Sequence, residues 1–255
     1  MKNQLKIAGL IAALMALLIV IPAAQAADYS IGAGIGIAPE YEGSDDYVGV
    51  PVPFAKIAWS NGMFFELKGL NARANLLPSN TWRLGPVINY RGERDNVDNS
   101  DVDRMDSVSD ATEVGAFAGF DYQNWFVSLD FLMDSGNAHE GWSSTLKGGY
   151  RWPVSSNWTV LIGAHTTYAD EDYMETYFGV DASNVGASGF SFYDPDSGFK
   201  SVGLDLGATY KITSNWSTQA LASYSLLVGD ADDDSPVVDA GDEGQFFGAV
   251  MVVYS

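Results

Sequence analysis

The chain has 255 residues, a formal charge of −20, two histidines and no cysteine. Without cysteine there are no disulfides, no thiolate-held metals and no lipid-bearing cysteine. The acid excess argues against nucleic acid as a partner, because phosphate contacts need clustered Lys and Arg.

The first residues read as a secretory leader. Lys2 and Lys6 are followed by an apolar run from Ile7 to Ile21, too short to span a membrane comfortably as a helix. Pro22 ends the run, and Ala24-Gln25-Ala26 supplies a small-x-small cleavage signal. Cleavage is expected after Ala26, so 1–26 is the signal peptide and 27–255 the mature domain.

Beyond the leader the dominant signal has a period of two, which sorts residues onto the two faces of a strand. Tyr29, Ile31, Ala33, Ile35 and Ile37 alternate with Ser30, Gly32, Gly34 and Gly36. Val114, Ala116, Ala118, Phe120 and Tyr122 alternate with Glu113, Gly115, Gly119 and Asp121. Trp125 to Met133 and Val202 to Ile212 repeat the pattern. A soluble sandwich would alternate in the same way. Three further features favour a transmembrane barrel: strands of about ten residues, a polar second face, and Trp or Tyr at strand ends, where membrane interfaces favour them.

The turns count the strands. Short polar turns recur at Ser60-Asn61-Gly62, Ser79-Asn80-Thr81, Gln123-Asn124, Ser155-Ser156-Asn157 and Thr213-Ser214-Asn215. Four of these five lead directly into a Trp: Trp82, Trp125, Trp158 and Trp216. Asn and Gly suit tight hairpins that need positive φ. Connections on the other side fall at Glu40–Gly49, near Gly69–Asn71, and at Gly92–Ala111, Ser135–Gly141, Ala169–Phe199 and Gly229–Gly244. The expectation is an all-β, antiparallel transmembrane β-barrel of about twelve strands. Asn71–Pro78 alternates least cleanly, which leaves ten strands as the alternative. An even count puts both termini on the short-turn side, periplasmic in bacterial outer-membrane barrels.

Several short motifs carry a resemblance. They are Pro39-Glu40-Tyr41-Glu42-Gly43-Ser44, Arg83-Leu84-Gly85-Pro86 followed by Tyr90-Arg91, Tyr177-Phe178-Gly179-Val180, and Gly229-Asp230-Ala231 leading to Ser235-Pro236. In this order the chain resembles the MltA-interacting protein (MipA/OmpV) family of outer-membrane proteins over its whole mature length. The resemblance implies a bacterial outer-membrane location, contact with outer-membrane lipid and lipopolysaccharide, and a scaffold role with a murein hydrolase and a murein synthase as partners. The ending departs from the usual barrel pattern: Phe246, Val250, Val252 and Tyr254 alternate as expected, but Ser255 follows the last aromatic.

The residues themselves offer little catalytic chemistry. His165 shares strand parity with Thr159, Gly163 and Thr167, the expected lumen face, and His139 lies in the loop Gly136–Gly141. A lipid hydrolase would need an oriented Ser–His pair where lipid can reach it. No catalytic, cofactor or metal site is therefore expected. Two acidic groups, Asp95 to Asp106 and Asp230 to Glu243, are read as a solvated rim. They carry oxygen ligands suited to Ca²⁺ or Mg²⁺ but no EF-hand spacing. Phe190, Phe192 and Tyr193 could stack on a ligand or pin their loop to the barrel mouth.

Parity also predicts a charged, largely filled lumen. Glu66, Glu113, Asp121, Asp130 and Asp205 point inward with Lys68, Arg83, Arg91, Lys147, Arg151 and Lys211. Facing residues of an antiparallel pair have a constant number sum. A sum of 204 would set Arg91 opposite Glu113 and Arg83 opposite Asp121. The functional expectation is a non-enzymatic scaffold barrel, with a narrow small-solute channel or an outward-facing adhesin or ligand-binding barrel as the alternative. A membrane-embedded hydrolase is the least supported class.

Overall fold

The computed structural model describes residues 27–255; the expected leader and its cleavage site lie outside the described residues. The fold is a closed barrel of twelve antiparallel strands, each bonded to its sequence neighbours, with β12 closing onto β1. The strands are β1 Ala27–Pro39, β2 Tyr47–Trp59, β3 Phe64–Lys68, β4 Asn71–Asn75, β5 Trp82–Arg91 and β6 Ala111–Tyr122. They continue as β7 Trp125–Asp134, β8 Trp142–Pro153, β9 Trp158–Ala169, β10 Gly198–Lys211, β11 Trp216–Leu227 and β12 Gly244–Tyr254. The doubtful segment does form β4, a short strand paired on both sides. Ala27 and Tyr254, the outer ends of the first and last strands, therefore lie at the same, short-turn end.

Local chemistry explains the turns. The Ser79 hydroxyl accepts from the Trp82 amide at 3.0 Å, Ser155 from Trp158 at 3.1 Å and Thr213 from Trp216 at 3.0 Å. Each bond satisfies the first amide of the returning strand and sets its Trp at the barrel end. The outward-facing aromatics then pair across strands: Trp82 with Phe120, Trp125 with Tyr150, Trp158 with Tyr210 and Trp216 with Tyr254. Trp142, Tyr168 and Phe199 make a second group at the opposite end. Between these belts Ile31, Ile35, Leu129, Leu204 and Val250 are exposed. An apolar band between two aromatic girdles is a membrane-facing surface.

The inner face departs from the all-polar expectation in one sector. Val52, Phe54, Ala249, Met251 and Val253 form a buried apolar cluster inside the barrel where β12, β1 and β2 meet. The glycines of β1 make room for it. A Cβ on Gly34 would fall 2.2 Å from the Val250 carbonyl oxygen and 2.6 Å from the Met251 Cβ. From Gly32 to Gly36 the inward face of β1 is thus bare backbone, filled by its neighbours' side chains.

Candidate functional site

The lumen wall from β2 to β10 carries ion pairs. Lys56 meets Glu66 at 2.8 Å, Arg73 meets Asp130 at 2.8 Å, and Lys147 meets Asp205 at 3.0 Å. Asp121 receives both Arg83, at 2.6 Å, and Arg151, at 2.7 Å. Arg73 on β4 and Asp130 on β7 are separated by two strands, so this pair cuts across the interior. Phe117 lies almost fully buried beneath the Arg73 guanidinium, 5.1 Å from ring centroid to Arg73 Cζ, and Phe64 packs on it. Arg73, Lys56 and Phe117 were not among the residues expected to fill the lumen. Lys211 points no charge at a partner: it is exposed at the turn end and forms no ion pair among the described residues.

The expected register needs correction. In β5–β6, facing residues sum to 202, not 204: Arg83 faces Gly119, Asn89 faces Glu113 and Arg91 faces Ala111. The two expected ion pairs nevertheless form, Arg83 with Asp121 and Arg91 with Glu113 at 3.2 Å, along diagonals of the ladder. Long Arg side chains reach a diagonal neighbour easily. A shift of two residues keeps every side chain on its face, so the alternation pattern could not detect it.

His165 projects into the lumen. Its Nδ1 lies 2.9 Å from Asp205 Oδ2 and its Nε2 lies 3.0 Å from Ser225 Oγ. The ring lies over Gly203, where a Cβ would clash at 2.5 Å. The order Asp–His–Ser matches that of an acyl-transfer triad. However, β9, β10 and β11 are paired continuously around it, so the ladder takes up their backbone N–H groups. These strands supply no oxyanion hole. Asp205 also accepts from Ser223 at 3.0 Å and pairs with Lys147. The cluster ties β8, β9, β10 and β11 together.

The long loops build a cap over one mouth. Helix α1, Glu171–Phe178, starts at Asp170, whose carboxylate accepts from the Tyr173 amide. Helix α2, Ala182–Ser188, is capped the same way by Asp181. A short helix α3, Pro236–Asp239, packs beside them. Tyr173, Met174, Phe178 and Val238 share one core with Val108 and Leu227, and Tyr41, Val97, Val102, Met105 and Val237 share a second. Phe190 and Tyr193 pack on the second core, and the Tyr193 hydroxyl donates to the Asp230 and Asp233 carbonyls. These two aromatics pin their loop, while Phe192 stays exposed. Most of the acidic groups lie on the outer surface of this cap. Among the described residues, no three His, Asp or Glu converge to hold a metal.

Glu42 fastens the cap to the barrel. It accepts from Lys200 at 2.7 Å, from Arg91 at 3.1 Å and from the Tyr173 hydroxyl at 3.0 Å. Burial alone would raise its pKa, but the Lys200 and Arg91 charges and the hydrogen bonds outweigh that and hold it at about 2. His139 is folded inward beneath α1, buried against Tyr173 and Tyr177 at ring distances of 5.0 and 5.5 Å. Its Nδ1 accepts from the Gly141 amide, which leaves Nε2 to carry the proton toward Glu113 at 3.3 Å. Glu42, Lys200, Tyr173 and Tyr177 carried no expected contact. Glu42 and Tyr177 were visible only as motif residues, and nothing local linked them across the mouth.

Side-chain exposure is uneven along the lumen. Glu113 and Lys200 at the capped end are buried, Lys56, Lys147 and Arg151 keep more than a third of their side chains exposed, and Glu42, Arg91, Arg83 and Asp121 lie between.

Comparison with known proteins agrees with the resemblance. The MltA-interacting proteins of Escherichia coli K12 and Shigella flexneri are each 26% identical over 216 residues, covering 83% of this chain and 84% of theirs. Among solved structures, the NanC porin aligns with a TM-score of 0.45 at 12% identity, covering 89% of this chain and all of that one. The KdgM porin aligns at 0.44 and 11%, covering 89% and 98%. The profile of the family described as MltA-interacting protein MipA matches residues 31–255, so the chain belongs to that family.

Proposed function

We propose that this barrel is a non-enzymatic outer-membrane scaffold whose turn end faces the periplasm and docks a murein enzyme of the kind named in its relatives' description, MltA-interacting protein. The observation that carries this reading is the difference between the two ends of the barrel: one mouth is covered by a cap with its own core, while the other is bounded by short polar turns. The turn end carries Arg83, Arg151 and Lys211 together with Asp28 and Asp121. Arg83 and Arg151 share the single carboxylate of Asp121, and Lys211 is unpaired among the described residues.

Area is the constraint on this reading. Twelve strands about 4.8 Å apart, tilted about 40°, enclose an end of roughly 450 Å² at backbone radius. A standard interface needs about 800 Å² per partner. The partner must therefore cover the whole rim and reach the lumen entrance.

Replacing all five short turns with generic Asn-Gly hairpins tests the proposal. Recovery of the murein enzyme with the purified barrel should be lost while the barrel still folds. Undiminished recovery would remove the periplasmic scaffold reading. A narrow small-solute channel is the second reading, favoured by the half-exposed lumen side chains, and it requires the cap to move.

A further inference from the structure

A cavity of about 290 Å³ lies beneath the cap, between the first loop and the inner ends of β10 and β11. Three cations line it: Arg91, Arg94 and Lys200. Glu42 satisfies Arg91 and Lys200. Arg94 is different. It is only 6% exposed, and it has no carboxylate within ion-pair distance among the described residues. One of its terminal nitrogens donates to the Tyr177 carbonyl at 3.0 Å. Its Nε is buried without a partner, and so is the Tyr177 hydroxyl, which lines the same cavity.

A guanidinium does not give up its proton, so burial without a counter-charge is costly. The bond to Tyr177 explains part of the arrangement, because that carbonyl lies at the C-terminal end of α1, where a cation is favoured. It leaves the Arg94 Nε and the Tyr177 hydroxyl without hydrogen-bond partners. Burial raises the Tyr177 phenol, so it stays protonated and able to donate.

We propose that this cavity binds the carboxylate of a small organic acid, with Arg94 as counter-ion and the Tyr177 hydroxyl as a neutral donor. A guanidinium fork matches a planar carboxylate. Glu40, Glu42 and Glu93 line the same cavity and disfavour a dianion such as phosphate. Leu227 and the Tyr41 ring offer walls to a carbon body, and the buried Tyr41 hydroxyl, also without a partner, is a second neutral donor. The volume sits at the small end of ligand pockets, which run from about 300 Å³ upward.

Titration of the purified barrel with trifluoroacetate, followed by ¹⁹F NMR, tests the site, with acetate and inorganic phosphate as competitors. Saturable binding is expected, displaced by acetate more strongly than by phosphate. Arg94→Gln should weaken it by about tenfold or more, the loss of a charged hydrogen-bond partner. Arg94→Gln also weakens the end of α1, so Tyr177→Phe is the second variant. It removes a hydroxyl that has no other partner and leaves the carbonyl in place. It should bind trifluoroacetate several-fold more weakly with unchanged hydrogen exchange across 171–178. A strictly linear, non-saturable response would overturn the proposal, as would equal affinity in Tyr177→Phe. Stronger displacement by phosphate than by acetate would overturn the carboxylate assignment. None of these outcomes depends on the murein partner.

Discussion

Arg83 and Asp121 meet at 2.6 Å although Arg83 lies directly opposite Gly119, so the contact runs along a diagonal of the β5–β6 ladder. The same carboxylate holds Arg151, two strands away on β8. The cluster thus clamps three strands at the turn end of the lumen. Arg83→Asp places two acids together beside one remaining arginine and should destabilise the barrel by about 1–2 kcal/mol, somewhat above the usual range for a cross-strand pair. Asp121→Arg in that background restores one opposite-charge contact but sets an arginine against Arg151. Rescue should therefore be partial, and adding Arg151→Gln should improve it. Urea titration of the tryptophan signal in detergent measures all three steps. No rescue in the triple variant would contradict the clamp.

Glu42 predicts how the cap responds to acid. Its folded pKa of about 2 lies below the roughly 4.3 of a free glutamate. A depressed carboxyl contributes stability that is fully present above the unfolded value and is lost as pH falls through the folded one. Cap docking should hold above about pH 4.5 and loosen progressively toward pH 2, by on the order of 2 kcal/mol. Glu42→Gln should abolish this part of the pH dependence and loosen the cap already at neutral pH. Hydrogen exchange across 171–178 reads it directly. Protection in that helix that is equal in both proteins at pH 7 would contradict the latch.

Conductance follows from the cap and from the chains that cross the lumen. The intact barrel should show small or no steady current in planar bilayers, since Arg73, Asp130 and Phe117 occupy its section and α1 covers one mouth. Replacing 170–197 with a short Gly-Ser connection should raise the current, with cation preference from the remaining acidic rim. Large, steady current from the unaltered protein would refute the sealed mouth.

Strand positions were readable because one face looks to lipid and the other inward, and a period of two survives in the residue pattern. What the pattern carries is parity. It could not choose between sums of 202 and 204, which put the same residues on the same face. The apolar lumen sector was hidden for a related reason. β12 is apolar on both faces, with Val250 and Val252 outward and Ala249, Met251 and Val253 inward, so alternation gave no contrast there. The run Gly32-x-Gly34-x-Gly36 was the available hint that something bulky lies against β1. Ion pairs between strands that are not neighbours, such as Arg73–Asp130, leave no periodic trace. The cap was the least legible part. Its cores join Tyr41, Val102, Tyr173 and Val238 from four separate loops, and no local signal says that those loops meet.

On the proposed scaffold role, partners gather at the turn end and not at the capped end. Photocrosslinking in intact cells tests it most directly, with a photoreactive residue placed singly at Ser156 or Ser214 in the turns and at Asp234 or Ser191 in the cap. The turn positions should capture a periplasmic murein enzyme, with Ser156 and Ser214 yielding the same partner. Capture of that enzyme from the cap positions, or of no protein from any turn position, would contradict it.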